Sequence, residues 1–129
     1  MNVVDSSGWL EYFIDGANAD FFSPAIEDDE NLIVPTISLY EVFKKILVQR
    51  GQEEALEVVA LMYSGKVVDL TREIALNAAK ISFEMKLPMA DSIMLATSRT
   101  ENATLWTQDE HFKGLQGVKY VEKKGNLPF

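Results

Sequence analysis

Short β-branched runs alternate with segments of helical period along the chain, and this alternation constrains the fold more than any other feature. The runs are Asn2-Val3-Val4-Asp5, Leu32-Ile33-Val34, Lys66-Val67-Val68-Asp69-Leu70, Ala103-Thr104-Leu105-Trp106 and Gly117-Val118-Lys119-Tyr120-Val121. Between them the apolar residues recur three and four apart, the spacing of one helix face. Neighbouring parallel strands need a crossover, and a helix packed on the sheet supplies it. The pattern therefore predicts an α/β fold, a central mostly parallel sheet with helices on both faces.

The helical segments carry their own end signals. Trp9, Leu10, Phe13 and Ile14 mark the first, which Asp15-Gly16-Ala17-Asn18 breaks. Ala19 to Ile26 reads as a second despite Pro24, and Glu27-Asp28-Asp29-Glu30 is a solvated connector. Thr36 to Arg50 is the best marked, with Leu39, Val42, Phe43, Ile46 and Leu47 on one face and Gly51 after it. Gln52 to Tyr63 pairs with it as a helical hairpin, offering Ala55, Leu56, Val59, Ala60, Met62 and Tyr63. Thr71 to Glu84 turns Ile74, Ala75, Ala78, Ala79, Ile81 and Ser82 inward, and Pro88 opens a last helix that reaches Arg99. Glu122 to Phe129 is a polar tail without a pattern.

Composition limits what such a sheet can do. A chain of 129 residues that is 47% hydrophobic suits one domain, residues 1–129, around one buried core. The absence of cysteine removes disulfides, thiolate metal sites and cysteine nucleophiles together, and accords with the cytoplasm. Met1 to Asp5 has no basic stretch followed by an apolar core, and no later run is long enough to span a bilayer, so neither secretion nor a membrane is expected. A net charge of -8, from 12 basic and 20 acidic residues, excludes a broad basic face for nucleic acid. A phosphodiester substrate would need bound divalent cations to invert the local potential.

Acids recur where strands hand over to helices. Asp5 ends the first run, Glu41 lies in the first turns of the helix after the second, Asp91 follows Pro88 at a helix start, and Asp109 comes just past Trp106. Open parallel sheets bind ligands at the carboxyl ends of their strands. Two carboxylates about 5 Å apart repel by roughly 3 kcal/mol at an effective dielectric near 20, so converging acids must protonate or recruit a cation. Oxygen-only ligands, with no His or Cys expected nearby, favour Mg²⁺ or Mn²⁺ over Zn²⁺. Each acid also has a plainer use. Ser38-Leu39-Tyr40-Glu41 and Thr107-Gln108-Asp109-Glu110 fit capping boxes, and Asp5 or Asp91 would suit a helix N-terminus. Asp69 also ends a strand and by spacing alone is a fifth candidate.

The same residues resemble a known family. Asp5-Ser6-Ser7-x-Trp9-Leu10, Glu41, Ala90-Asp91-Ser92-Ile93-Met94-Leu95-Ala96-Thr97 and Trp106-Thr107-Gln108-Asp109-Glu110-His111-Phe112 are similar, in order and across the chain, to the PIN-domain family and in particular to VapC-type toxins of toxin-antitoxin pairs. The resemblance implies a PIN-like three-layer α/β/α sandwich and a Mg²⁺- or Mn²⁺-dependent endoribonuclease. It also implies a cytoplasmic homodimer, an RNA substrate and inhibition by a cognate antitoxin. Carried over by position, Asp5, Glu41, Asp91 and Asp109 are the metal-binding catalytic acids, and Thr107 helps to orient the metal's surroundings. Asp69 has no counterpart in that set, which favours capping there.

The neighbouring residues have plainer uses. His111 is placed on the surface of a short helix, with catalysis as its lesser reading, and Phe112 is core under Asp109. Ser6 and Ser7 suit caps better than nucleophiles, since neither has a positioned base. Lys44, Lys45, Arg50, Lys86, Arg99 and Lys113 are read as solvated side chains, and no RNA groove is assigned from them. Trp9, Phe13, Tyr40 and Phe43 suit the core better than an antitoxin groove. The alternatives to a nuclease are a catalytically silent domain of the same fold and a receiver-like Mg²⁺-binding module. A receiver would want paired acids after the first strand, where Asp5 stands alone.

Overall fold

The computed structural model of the chain describes residues 1–128; Phe129, the end of the expected polar tail, lies outside them. Five strands form one sheet among the described residues: β1 (Asn2–Val4), β2 (Leu32–Pro35), β3 (Lys66–Val68), β4 (Thr104–Thr107) and β5 (Val118–Tyr120). Their order is β3-β2-β1-β4-β5 and every pairing is parallel, so the sheet is wholly rather than mostly parallel. Strand β1 is central: Asn2 lies opposite Leu32 on one side and Thr104 on the other. The chain winds outward from β1 through β2 to β3, then returns to the far side of β1 for β4. The strand order thus reverses at the β1/β4 junction, where a crevice opens past the strands' carboxyl ends.

Six helices flank this sheet among the described residues: α1 (Ser6–Phe13), α2 (Ala19–Ile26), α3 (Thr36–Arg50), α4 (Gln52–Met62), α5 (Arg72–Met85) and α6 (Met89–Thr100). The two-residue period of the strands divides the apolar residues between two cores. Val4, Leu32 and Val34 face one core with Trp9, Phe22, Val42, Ile46 and Met62 of the first four helices. Val3, Ile33 and Leu105 face the other with Ile74, Ile81, Met94 and Leu95 of α5 and α6. The result is the expected three-layer α/β/α sandwich.

Several expected inward faces are narrower than the sequence implied. On α4, Leu56 and Tyr63 are exposed while Val58 is buried, because α4 rests mainly on α3 and buries only the strip Ala55, Val58, Val59 and Met62. On α5, Ala75 and Ala79 face solvent, and the buried strip is Ile74, Ala78 and Ile81 against α6. Leu47, near the end of α3, is exposed for the same reason: it has no neighbouring layer.

Two local features set the position of the elements that carry acids. The turn from α5 to α6 passes through Lys86 in the left-handed region, at φ 57°. It is tied down by Ser82 and Ser92, whose hydroxyls donate to the Leu87 carbonyl at 2.8 and 3.3 Å, and Ser92 also donates to Pro88 at 2.8 Å. The second feature is Gly8 in α1, where the helix passes so close to its neighbours that a Cβ would stand 2.6 Å from Phe22 and 2.8 Å from Val4. Both contacts belong to buried side chains that cannot step aside. Gly8→Ala is therefore expected to destabilise the fold by about 1–3 kcal/mol, the usual penalty of overpacking, read as a lower midpoint in urea unfolding. An unchanged midpoint would show that α1 can shift outward without cost.

Candidate functional site

The acids meet at the β1/β4 junction. Asp5 leaves β1 directly, with its backbone N–H donating to the Trp106 carbonyl of β4 at 3.0 Å, so the end of one strand fixes the carboxylate against the other. Thr107, the last residue of β4, is fully buried and donates its hydroxyl to Asp5 Oδ2 at 2.8 Å. The same hydroxyl accepts from the Asp109 backbone N–H at 2.9 Å, which turns the chain after β4. Asp109 then caps a single 3-10 turn, Glu110–Phe112, by accepting from the His111 N–H at 2.9 Å, while Phe112 anchors that turn in the core.

Glu41 arrives from α3, where it accepts the Ser6 hydroxyl at 2.6 Å, linking α3 to the start of α1. Asp91 lies in the first turn of α6 and follows no strand; the turn locked by Ser82 and Ser92 carries it there. Asp5, Glu41, Asp91 and Asp109 all line one cleft of about 210 Å³, together with Ser6, Ser7, Leu10 and Lys45. The four acids that the sequence singled out therefore share a single cavity. Asp69 does not join them: it is exposed beyond β3, on the other side of β2.

Neither expected capping box forms. Ser38 sits inside α3 with its hydroxyl 3.4 Å from Met94 Sδ, and Pro35 rather than Ser38 precedes the helix. After β4 the capping residue is Asp109 and not Thr107, because the Thr107 hydroxyl accepts from the Asp109 N–H, two residues on, and Asp109 accepts from His111. Ser7 donates to Asp5 Oδ2 at 3.4 Å as Ser6 donates to Glu41, so both hydroxyls serve to hold the carboxylates of the cleft.

His111 is where the structure most exceeds the sequence reading. It is exposed on its 3-10 turn as expected, yet its Nδ1 lies 2.8 Å from Asp91 Oδ2 and 3.3 Å from Asp109 Oδ1. Asp91, Asp109 and His111 each present a ligand atom, and these atoms lie within 4.8 Å of one another. The available signal was the two-residue step from Asp109 to His111: a carboxylate that caps the N–H two residues on draws that side chain back over itself.

Electrostatics explain what such a cleft wants. Burial pushes the Asp5 carboxyl up from 3.8 to about 7, and the charges of Asp109, Asp91 and Glu41 add to this against the opposing Thr107 hydrogen bond. Asp91 is also raised, by burial first, with the His111 hydrogen bond opposing. His111 is raised chiefly by its hydrogen bond to Asp91. Carboxylates that hold protons this readily will exchange them for a cation, and a cluster of carboxylate oxygens with one imidazole is a donor set that fits a hard divalent ion.

A wholly parallel five-stranded sheet between helical layers, with an acid cleft at its order reversal, defines the class of protein. Residues 3–118 match the PIN domain family, and the chain belongs to it. No curated protein sequence matches the chain. Among solved structures, a toxin-antitoxin complex from Klebsiella pneumoniae superposes with a TM-score of 0.77 at 20% identity, covering 92% of this chain and 96% of that one. Mycobacterium tuberculosis VapC20, a sarcin-ricin loop cleaving toxin, gives 0.74 at 15% identity over 90% and 95% of the two chains. DNA-bound VapBC from Salmonella typhimurium gives 0.73 at 14% identity over 94% and 96%. At these identities the likeness is one of fold. A receiver-like module is a different family from the one the chain belongs to.

Two outcomes follow from this geometry. Thr107→Val removes a buried donor and an acceptor at once and is expected to cost about 1–3 kcal/mol in urea unfolding, while Thr107→Ser keeps most of the stability. Asp5 sets a pH dependence. Its folded value lies above the ordinary one, so its contribution to stability is complete below about pH 4 and is lost as the pH rises to about 7. Asp91, raised in the same direction, acts with the same sign from about pH 4 upward, whereas the contribution of His111 is lost only above its ordinary value of 6.5. In metal-free buffer the protein should lose on the order of a few kcal/mol across that window, and Asp5→Asn should lose visibly less in thermal melts.

Proposed function

We propose that this protein is a metal-dependent endoribonuclease toxin, in which residues 1–129 act as one nuclease domain in the cytoplasm. The observation that carries the reading is the convergence of Asp5, Glu41, Asp91 and Asp109 on one cleft at the sheet's order reversal. These acids would hold Mg²⁺ or Mn²⁺, with His111 beside Asp91 and Asp109. An ion held there would supply a water of lowered pKa for attack on a phosphodiester and a positive charge beside the leaving oxygen.

The chain's own residues do the positioning. Thr107 holds Asp5 in one rotamer and keeps one carboxylate oxygen occupied, so the other is left for the ion. Ser6 does the same for Glu41. The partly exposed Asp91 and Asp109 form the open side of the cleft, where an RNA strand can enter. With an ion held by the acids, no histidine base would be needed to generate the nucleophile.

The partner reading rests on apolar surface. A groove of about 300 Å³ between α1, α2 and α4 is lined by Trp9, Tyr12, Phe13, Ile26 and the exposed Leu61, with Glu27 and Asp29 at its edge. An antitoxin segment with apolar side chains and a basic residue would suit it. Trp9 itself is buried, and Phe13 and Phe43 pack on the core, which leaves Tyr40 as the exposed member of the expected aromatic set. A second copy of the chain would cover the exposed Leu76 and Phe83 of α5. No helix among the described residues is long and apolar enough to cross a membrane.

The deciding measurement is cleavage of mixed cellular RNA by the purified protein with Mg²⁺, with Mn²⁺ and with EDTA, beside Asp5→Asn and Asp91→Asn. Discrete fragments should appear only with metal, and each variant should cut at least about a hundredfold more slowly. Fragments unchanged in both variants would refute the assignment of the acids, and no cleavage by the folded, partner-free protein would favour a silent domain that acts by binding.

A further inference from the structure

Glu41 borders two adjoining hollows. One is the acid cleft; the other, about 330 Å³, runs along the outer face of α3 and is lined by Tyr40, Glu41, Lys44, Lys45, Val48 and Gln49. Lys45 also lines both, so the two hollows adjoin along the helix. Positions 40, 44 and 48 make one row of this face and 41, 45 and 49 the next, the four-residue spacing of neighbours on a helix.

Three properties of this face lack a structural use. Tyr40 is 61% exposed and Val48 71%, although both are large and apolar in body. The Lys44 ammonium lies 5.8 Å from the centre of the Tyr40 ring, which keeps a cation at the ring's face. Lys44 and Lys45 form no ion pair among the described residues. In a chain of net charge -8, Lys45 lines the acid cleft itself and Lys44 the hollow beside it. An open aromatic face flanked by cations is the arrangement that binds single-stranded nucleic acid, with a base on the ring and phosphates on the ammonium groups.

We propose that this face of α3 is a nucleotide subsite: an unpaired base of an RNA strand stacks on Tyr40, Lys44 and Lys45 take the phosphates flanking it, and the strand passes Glu41 into the acid cleft. This rests on the ribonuclease reading and adds the side from which the strand enters and the state of the RNA there. A base inside a duplex has both faces covered by its neighbours, so the subsite selects RNA that is single-stranded next to the cut. Because every base offers such a face, the subsite discriminates strand state and not sequence.

The test uses Asp5→Asn protein, which should bind without cutting, and a short uridine-rich RNA carrying one 2-aminopurine at successive positions. Quenching confined to one position is expected. Tyr40→Ala should abolish it and weaken binding by roughly fivefold to a hundredfold, the range of one lost base–aromatic stack, while Tyr40→Phe keeps both. Lys44→Ala should lower the dependence of log affinity on log salt by about 0.7, one phosphate contact on a single strand. The same RNA annealed to its complement should show neither effect. Undiminished quenching and affinity in Tyr40→Ala would overturn the proposal, as would a loss of self-association in that variant with RNA affinity intact, which would make Tyr40 a subunit contact. The two readings fail separately. Metal-dependent cleavage that needs Asp5 and Asp91 but ignores Tyr40 keeps the nuclease and removes the subsite; binding that needs Tyr40 without any cleavage keeps the subsite and removes the nuclease.

Discussion

Asp5 is a carboxylate held at the end of the central strand, out of water and within reach of three other acids, and the cleft is arranged around the cost of charging it. Isolated in that position it would keep its proton. One hydroxyl, that of Thr107, opposes this by donating to it, and the same oxygen accepts from the backbone that carries Asp109. A single side chain thus couples the orientation of the most buried acid to the path of the chain bearing another. The remaining repulsion is what makes a divalent cation the natural occupant, since it relieves several unfavourable interactions at once.

The sheet supplies the rigidity that this arrangement needs. Because β1 pairs on both sides with parallel neighbours, its carboxyl end is fixed in two directions, and Asp5 inherits that fixity. The other acids come from elements held by different means. Asp109 depends on a capped 3-10 turn pinned by Phe112, Asp91 on a turn locked by two serines, and Glu41 on a hydrogen bond from the first turn of α1. Buried residues support each of these, so the cleft can hold like charges close together without spreading apart.

Charge on the rest of the surface follows a different logic. The acidic excess would repel a polyanion, yet Lys45 lines the acid cleft and Lys44 the hollow beside it, and the exposed tyrosine lies among them. Attraction at short range and repulsion elsewhere would confine an RNA strand to one path, which a uniformly basic surface could not do.

The α/β class, the strand-helix alternation and the extent of α3 were legible in the chain itself, because the two- and 3.6-residue periods are local properties of backbone geometry. The candidate acids were legible too, since Asp5, Asp91 and Asp109 stand at element boundaries that local signals mark and Glu41 lies in the early turns of the best-marked helix. What the tertiary structure decided was which of them meet. Asp69 ends a strand as Asp5 does, but the sheet order leaves it on the far side of β2, and order is set by long-range pairing that no local pattern encodes. The same holds for Thr107, whose hydroxyl accepts from the nearby Asp109 N–H but donates to a residue 102 positions away. It holds for His111, which local sequence places on the surface and which only the packing of α6 brings to Asp91. Periodicity determines which residues can form an element and which face they offer; which faces and which edges come together depends on contacts between residues distant in the chain, and those exist only once the layers have packed.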